Sequence, residues 1–150
     1  MPGPTLSLKG RALRLLSQRE HSRLELERKL ATHEEEPGQL PRVLDELQAK
    51  GFISEQRVME SVLYRRAGKL GAGRIRQELQ MKGLDATLVS QAMQQLRSTE
   101  LERAREVWRR KFEAAPRDAA ERARQSRFLA ARGFDGEVIR RVLAGGFDED

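Results

Sequence analysis

The chain has 150 residues, no cysteine and a formal net charge of +6, and 35% of its residues are charged. The absence of cysteine excludes disulfide bonds, cysteine-ligated zinc and thiol nucleophiles, and it suits a reducing cytoplasm. No apolar run is long enough to cross a bilayer, and the first residues lack the basic and apolar stretches of a secretory signal. We therefore expect a cytoplasmic protein without a membrane association.

The first third of the chain predicts three helices. An apolar stripe from Leu8 to Ser17 predicts the first helix. Ser22 and Glu25 stand at the spacing of a capping box, so a second helix begins at Ser22 and ends near His33. Regularly spaced apolar residues then predict a third helix that ends at Gly51.

The same scheme returns twice along the rest of the chain. Six further helices are predicted, beginning at Ser54, just after Gly73, and at Asp85, Thr99, Asp118 and Asp135. Thr99 and Glu102 stand at the spacing of a second capping box. The helix that begins at Thr99 ends at Pro116, because proline cannot continue a helix interior.

Three glycines share the same surroundings. Each stands between a basic and an apolar residue, in Lys50-Gly51-Phe52, Lys82-Gly83-Leu84 and Arg132-Gly133-Phe134. Glycine readily adopts the left-handed turn that ends a helix, and the basic residue before it suits the negative end of the helix dipole. A Ser or Asp follows each joint within two residues and caps the next helix.

Grouped in threes, the predicted helices make an all-α fold, an elongated array of three tandem three-helix repeats. The last helix of each group carries neighbouring apolar residues four positions apart, a wide stripe that can pack on two partners. The predicted limits are a loose lead at 1–7, repeats at 8–53, 54–97 and 98–146, and an acidic tail at 147–150. A single irregular helical bundle is the alternative.

The chain offers little for catalysis. Neither His21 nor His33 has a second histidine four residues away, the spacing that places two zinc ligands on one helix face. The segment Gly71-Ala72-Gly73 follows no predicted strand and lacks the last glycine of a dinucleotide-binding loop. We therefore expect a protein that is not an enzyme and needs no metal or cofactor.

Basic residues outnumber acidic ones by roughly two to one from residue 55 to 83 and again from 97 to 133. This imbalance is typical of proteins that bind polyanions, most often nucleic acid, although solvated helix faces also produce it. The candidate contact residues are Arg65, Arg66, Lys69, Arg74, Arg76, Lys82, Arg109, Arg110, Lys111, Arg124 and Arg127.

Two aromatic residues lie among these basic clusters. Tyr64 stands beside Arg65 and is a candidate for stacking on a base, although a place in the core or at its rim is the more common role. Trp108 shares an apolar stripe with Phe112, so we expect it in the core.

Several segments, taken in order, resemble a known family. They are the opening helices from Leu13 to Leu30, the leucine-rich helix Val43–Leu47 with the turn Gly51–Ser54, the stretch Gly71–Leu84, and Phe128–Phe134 followed by Val138-Ile139. Together they resemble the RecX family, bacterial regulators of the RecA recombinase. The resemblance covers nearly the whole chain.

The resemblance implies an all-helical protein that binds the RecA filament within or along its helical groove and restrains filament growth. It would thereby modulate recombination, ATP hydrolysis and induction of the DNA-damage (SOS) response. The implied partners are the RecA filament and, secondarily, single-stranded DNA, and we expect a monomer.

Two other functions remain open from the residues alone. A helix-turn-helix protein reading duplex DNA would be a dimer with Arg, Asn or Gln at the start of its recognition helix, whereas Asp85 and Asp135 begin the corresponding helices here. An inert scaffold of charged helices is the third possibility.

Overall fold

The structure of the protein is a computed structural model that describes residues 5–145. Within this range the chain forms nine α-helices and one short 3-10 turn, and it contains no strand. The helices are α1 Leu8–Gln18, α2 Arg23–Leu30, α3 Gln39–Ala49, α4 Glu55–Arg66, α5 Ala72–Met81, α6 Ala86–Arg97, α7 Glu100–Lys111, α8 Ala119–Ala131 and α9 Gly136–Gly145, and the 3-10 turn Ala31–His33 follows α2.

The helices form three repeats, each with its own hydrophobic core. One cluster of buried side chains comes from α1, α2 and α3, a second from α4, α5 and α6, and a third from α7, α8 and α9. The helix pairs in most extensive contact all lie within one repeat. The predicted all-α array of three three-helix repeats is confirmed.

The limits of the repeats at 8–53, 54–97 and 98–146 stay predictions. Residues 1–4 of the predicted lead lie outside the described residues, as do residue 146 and the whole predicted acidic tail at 147–150.

The predicted capping box at the start of α2 is confirmed. Ser22 Oγ accepts a hydrogen bond from the Glu25 backbone N–H at 3.1 Å, and Glu25 Oε1 accepts from the Ser22 backbone N–H at 3.0 Å. Two free N–H groups at the helix start are thereby satisfied reciprocally. The α-helix itself ends at Leu30, and the 3-10 turn continues to the predicted end at His33.

The predicted capping box at Thr99 is wrong. Thr99 Oγ1 donates to the Leu96 carbonyl at 3.2 Å and accepts from Arg103 Nε at 3.0 Å, so it does not cap α7. Its backbone, at φ −113° and ψ 1°, is also outside the extended conformation that an N-cap residue normally adopts. Sequence spacing alone does not reveal this competing use of the hydroxyl group.

The three glycine joints have the predicted geometry. Gly51, Gly83 and Gly133 adopt φ values of 84°, 79° and 100°. After each glycine, the apolar residue donates its N–H to a carbonyl five residues earlier: Phe52 to Leu47 (2.9 Å), Leu84 to Leu79 (3.2 Å) and Phe134 to Leu129 (3.2 Å). Each joint therefore closes one helix and turns the chain into the next.

The joint at Gly133 also docks onto the preceding repeat. The Arg132 carbonyl accepts from the Gly71 N–H at 2.7 Å, and the Gly133 carbonyl accepts from the Gly73 N–H at 3.0 Å. Because the backbones approach this closely, a Cβ atom on Gly71 would lie 2.5 Å from the Gly133 carbonyl carbon. The Gly71-Ala72-Gly73 segment is thus a docking surface for another backbone.

The joint at Gly83 docks onto repeat 1, but against a side chain rather than a backbone. A Cβ atom on Gly83 would lie 2.7 Å from the Leu24 side chain at the start of α2. In both joints the carbonyl two residues before the glycine also accepts from an arginine of the preceding repeat: Arg28 Nη1 to Met81 O (3.5 Å) and Arg74 Nη1 to Ala131 O (2.7 Å). Gly51, by contrast, faces open space.

A glutamate completes each junction between repeats. Glu55, the first residue of α4, accepts through Oε1 from the Arg23 N–H at 3.1 Å, and Glu100, the first residue of α7, accepts through Oε2 from the Ala72 N–H at 2.7 Å. Arg23 and Ala72 are the first residues of α2 and α5, so each carboxylate caps a helix of the preceding repeat at the positive end of its dipole. Burial raises the pKa of Glu55.

Arginines of α7 bind the free carbonyls at the end of α4. Arg103 Nη1 donates to the Ala67 and Leu70 carbonyls at 2.8 Å each, and Arg110 Nη2 donates to the Gly68 carbonyl at 2.6 Å. Arg103 is in turn paired with Glu100. Repeats 2 and 3 are therefore joined by backbone, carboxylate and guanidinium contacts at once.

Trp108 occupies the core of repeat 3, as predicted. Its side chain is buried, and its indole N–H donates to Gln125 Oε1 at 2.8 Å. Gln125 Nε2 donates onward to the Ala114 carbonyl at 3.1 Å, so both buried polar groups have partners.

Gly51 faces open space and Gly133 contacts another repeat, so replacing each with alanine should lower the free energy of unfolding by different amounts. Gly51→Ala should destabilise the protein by about 1 kcal/mol, since the only penalty is a left-handed alanine. Gly133→Ala should cost about 3 kcal/mol, because its Cβ would also lie 2.6 Å from the Arg74 backbone nitrogen. Urea denaturation of both variants measures the difference, and equal losses would contradict the docking role of Gly133.

Candidate functional site

A groove of about 690 Å³ runs along one side of α5. Repeat 1 contributes α2 to its wall, repeat 2 contributes the end of α4 and α5 itself, and repeat 3 contributes the joint after α8. Its basic lining residues are Arg28, Arg66, Lys69, Arg74, Lys82 and Arg132, and its acidic ones are Glu25 and Glu78. Basic groups from three repeats therefore face one groove, which we call the basic groove.

Ion pairs neutralise part of this charge. Lys82 Nζ lies 3.3 Å from Glu25 Oε1, with only 14% and 15% of the two side chains exposed. Arg66 Nε lies 3.1 Å from Glu78 Oε1. Within residues 5–145 neither Arg28 nor Lys69 forms an ion pair, and both are exposed. These two cations are available to an anionic ligand.

Glu25 holds one end of the basic groove together. Burial pushes the pKa of Glu25 upward, but the Arg19 guanidinium at 2.7 Å, the Ser22 N–H and the Lys82 ammonium outweigh burial and lower this pKa to about 2. The carboxylate is therefore ionised at neutral pH. Its Oε1 both accepts from the Ser22 N–H at the start of α2 and pairs with Lys82, while its Oε2 pairs with Arg19.

The structure brings four predicted contact residues together and separates a fifth. Arg66, Lys69, Arg74 and Lys82 all line the basic groove. Arg76 lies on the other side of α5, because two residues along a helix correspond to a rotation of about 200°. Arg65, beside the groove, lies 3.8 Å from Glu78 and shares that carboxylate with Arg66.

The remaining predicted residues lie in repeat 3 and do not form one surface. Arg109 pairs with Glu106 and Glu102, and Arg110 binds the Gly68 carbonyl. Lys111 lies over the Phe128 ring and Arg124 over the Phe112 ring, at 5.7 and 5.5 Å from the ring centroids. Arg127 lines a separate cleft between α8 and α9. Their role as contacts stays a prediction.

Sequence reasoning missed two residues of the basic groove, Arg28 and Arg132. Arg132 precedes the joint glycine in the same position as Lys82, so the repeat pattern contained a signal for it. Arg28 had no such signal, because the first third of the chain is nearly balanced in charge and its approach to α5 depends on docking between repeats.

Tyr64 is 91% exposed, so a place in the core is wrong for this residue. It does not line the basic groove. Its stacking on a base stays a prediction.

The buried His21 has a structural role. Its Nε2 lies 3.0 Å from Lys29 Nζ and its Nδ1 lies 3.1 Å from the Arg19 carbonyl. An ammonium group only donates, so Nε2 accepts, Nδ1–H donates, and the ring is neutral. Burial lowers the pKa of His21 accordingly. Residues 5–145 contain no group of three or more His, Asp or Glu side chains that could hold a metal ion.

The fold and the basic groove define a class: a protein of tandem three-helix repeats with a positively charged surface shared between repeats. None of the helices described above is long and apolar enough to cross a membrane. Family models for the first, second and third three-helix domains of RecX match residues 9–47, 54–93 and 98–143. The chain belongs to the RecX family.

Individual relatives agree with this assignment. The regulatory protein RecX of Leptothrix cholodnii is 58% identical over 140 residues, which cover 93% of this chain and 89% of the relative. That of Ralstonia pickettii is 44% identical, covering 97% and 91% of the two chains. The crystal structure of RecX from Lactobacillus salivarius has the same fold, with a TM-score of 0.76 at 19% identity over 91% of this chain and 92% of the other.

The ionised Glu25 predicts a pH-dependent difference between wild type and Glu25→Gln. A carboxylate whose pKa is lower in the folded state than in the unfolded state stabilises the fold. This contribution is complete at pH values above the unfolded-state pKa, and it is lost as the pH falls through the folded-state pKa. At pH 7 the variant should therefore be less stable by about 2 kcal/mol. The difference in free energy of unfolding between the two proteins should decrease towards zero as the pH falls from 4.5 to about 2. Urea denaturation over this range measures it, and a difference that stays constant would rule out the Glu25 ion pairs as its source.

Proposed function

We propose that this protein is a non-enzymatic regulator that binds the RecA filament on DNA and mostly inhibits its recombinase and ATPase activities, and with them the DNA-damage response. The observation that carries the proposal is the basic groove, to which all three repeats contribute cations. In this proposal the protein acts in the cytoplasm as a monomer. Its membership of the RecX family supports the choice of partner.

The basic groove suits a phosphate backbone better than a small metabolite. Its cations come from five places along the chain, and Arg28, Lys69, Arg74 and Arg132 are exposed, as in proteins that follow a nucleic-acid strand. The apolar side chains of Leu70 and Met81 also line it, and the exposed Met81 can contact a base or a sugar. We assign the DNA of the filament to this groove.

Weak contacts spread over three repeats suit a polymeric partner. A repeat array presents a long surface, and several modest contacts along a lattice combine into avidity without a deep pocket. Such a regulator would bind the filament more tightly than naked DNA, since the filament adds protein contacts to the DNA contact.

Charge reversal at Arg28 and Lys69 tests the role of the basic groove, because neither side chain forms an ion pair within the described part of the chain. Arg28→Glu with Lys69→Glu should weaken binding to RecA-coated single strands about tenfold and weaken inhibition of the RecA ATPase in parallel. Loss of two phosphate contacts should also reduce the slope of log K against log salt on naked single strands by about 1.4.

The matched control is Arg14→Glu with Arg141→Glu, two exposed cations outside the groove whose reversal changes the net charge by the same amount. Fluorescence anisotropy on RecA-coated single strands, naked single strands and random duplex compares the proteins. Equal losses in the two variants would reject the groove as the contact. Preference of the wild type for duplex would instead support a helix-turn-helix reader, and no binding at all would support an inert scaffold.

A further inference from the structure

Repeats 2 and 3 each carry a cleft between their second and third helices. The cleft between α5 and α6 has a volume of about 530 Å³, and the one between α8 and α9 about 330 Å³. A shift of 50 residues, the separation of Gly83 and Gly133, relates their apolar linings: Val89 corresponds to Ile139 and Met93 to Leu143. The two clefts are therefore the same structural feature repeated along the array.

Arginines surround both clefts, and no carboxylate among residues 5–145 lines either of them. Arg76 and Arg97 line the first cleft, and Arg122, Arg127 and Arg140 line the second. Arg140 pairs with Glu137 at 2.6 Å. The guanidinium groups of the other four arginines form no ion pair with any residue between 5 and 145. Both clefts therefore combine an apolar floor with at least two arginines that have no ion-pair partner in the described part of the chain.

The first cleft lies across α5 from the basic groove. Arg76 and Gln80 face the cleft, whereas Arg74, Glu78 and Met81 face the groove. Between these two sets the buried Ile75 and Leu79 occupy the core side of the helix. A ligand in the basic groove thus leaves the cleft accessible to another one.

We propose that the two clefts bind acidic segments of a protein partner, each segment placing an apolar side chain on the cleft floor and carboxylates against the arginines. Because the clefts repeat, they would bind two copies of one segment, carried by neighbouring subunits of a polymer. This inference rests on the proposed function, in which the polymer is the RecA filament.

Charge and lining favour a protein segment over nucleic acid. Arginine forms bidentate pairs with carboxylates, and the apolar floors offer burial to an aliphatic side chain. No aromatic side chain of residues 5–145 lines either cleft for base stacking.

Repeat 1 differs in the corresponding region. Its second and third helices are joined by a longer segment that contains Glu34-Glu35-Glu36, and Arg42 lies 3.9 Å from Glu36. These carboxylates would repel an acidic segment. We therefore expect one binding cleft in repeat 2, one in repeat 3 and none in repeat 1.

Charge-reversal variants of the clefts test the inference. One variant combines Arg76→Glu with Arg97→Glu, a second combines Arg122→Glu with Arg127→Glu, and a third carries all four substitutions. The control is again Arg14→Glu with Arg141→Glu. The probes are RecA filaments assembled on oligo-dT with a non-hydrolysable ATP analogue, and naked oligo-dT. Circular dichroism and urea denaturation check that each variant is folded.

Each cleft pair should weaken filament binding about tenfold relative to the control, and the combination about a hundredfold, because separate sites contribute independently. Binding to naked oligo-dT should change less than twofold relative to the control. Cleft variants that bind the filament like the control would overturn the inference, and equal losses on naked oligo-dT would assign the clefts to nucleic acid.

The two proposals fail in different ways. If the cleft variants bind like the control while reversal at Arg28 and Lys69 weakens filament binding, the clefts are not docking sites and the proposed function stands. If the wild type itself shows no preference for filaments over naked oligo-dT, the proposed function fails, and the inference fails with it.

Discussion

The structure depends on how closely the joints at Gly83 and Gly133 approach the repeat before each of them. At Gly133 the contact is between backbones, and at Gly83 it is between the glycine and Leu24. Glu55 and Glu100 add a carboxylate cap to the helix that receives the joint. The helix α5 takes part in both junctions, since its start receives repeat 3 and the joint after its end docks on repeat 1. Small cores that would be weak alone are thereby linked into one array.

The same arrangement explains why the candidate sites lie on two sides of α5. Docking brings Arg28 of repeat 1 and Arg132 of repeat 3 to the helix from either end and forms the basic groove between them. The opposite side keeps the repeated cleft, with Arg76 at its edge. In our proposals DNA binds one side and protein segments the other, which suits a regulator of a protein–DNA filament.

Features determined by neighbouring residues were predictable from the sequence. Left-handed glycines, the Ser22 capping box and the apolar stripes depend on contacts within a few residues, and they predicted the helices, the joints and the three repeats. Features determined by contacts between repeats were not. Glu100, for example, caps a helix that begins 28 residues earlier. Arg28 joins the basic groove only because repeat 1 docks on repeat 2, and no local pattern encodes that approach.

If the joints hold the three repeats in one fixed arrangement, the distance between the first and the last helix should have a single value. Because the chain has no cysteine, spin labels can be placed at Arg14→Cys in α1 and Arg141→Cys in α9 without further substitution. Pulsed electron paramagnetic resonance should give one narrow distance distribution in this labelled protein and a broad one when Gly133→Ala and Glu100→Gln are added. A distribution that is already broad before those changes would contradict a fixed arrangement.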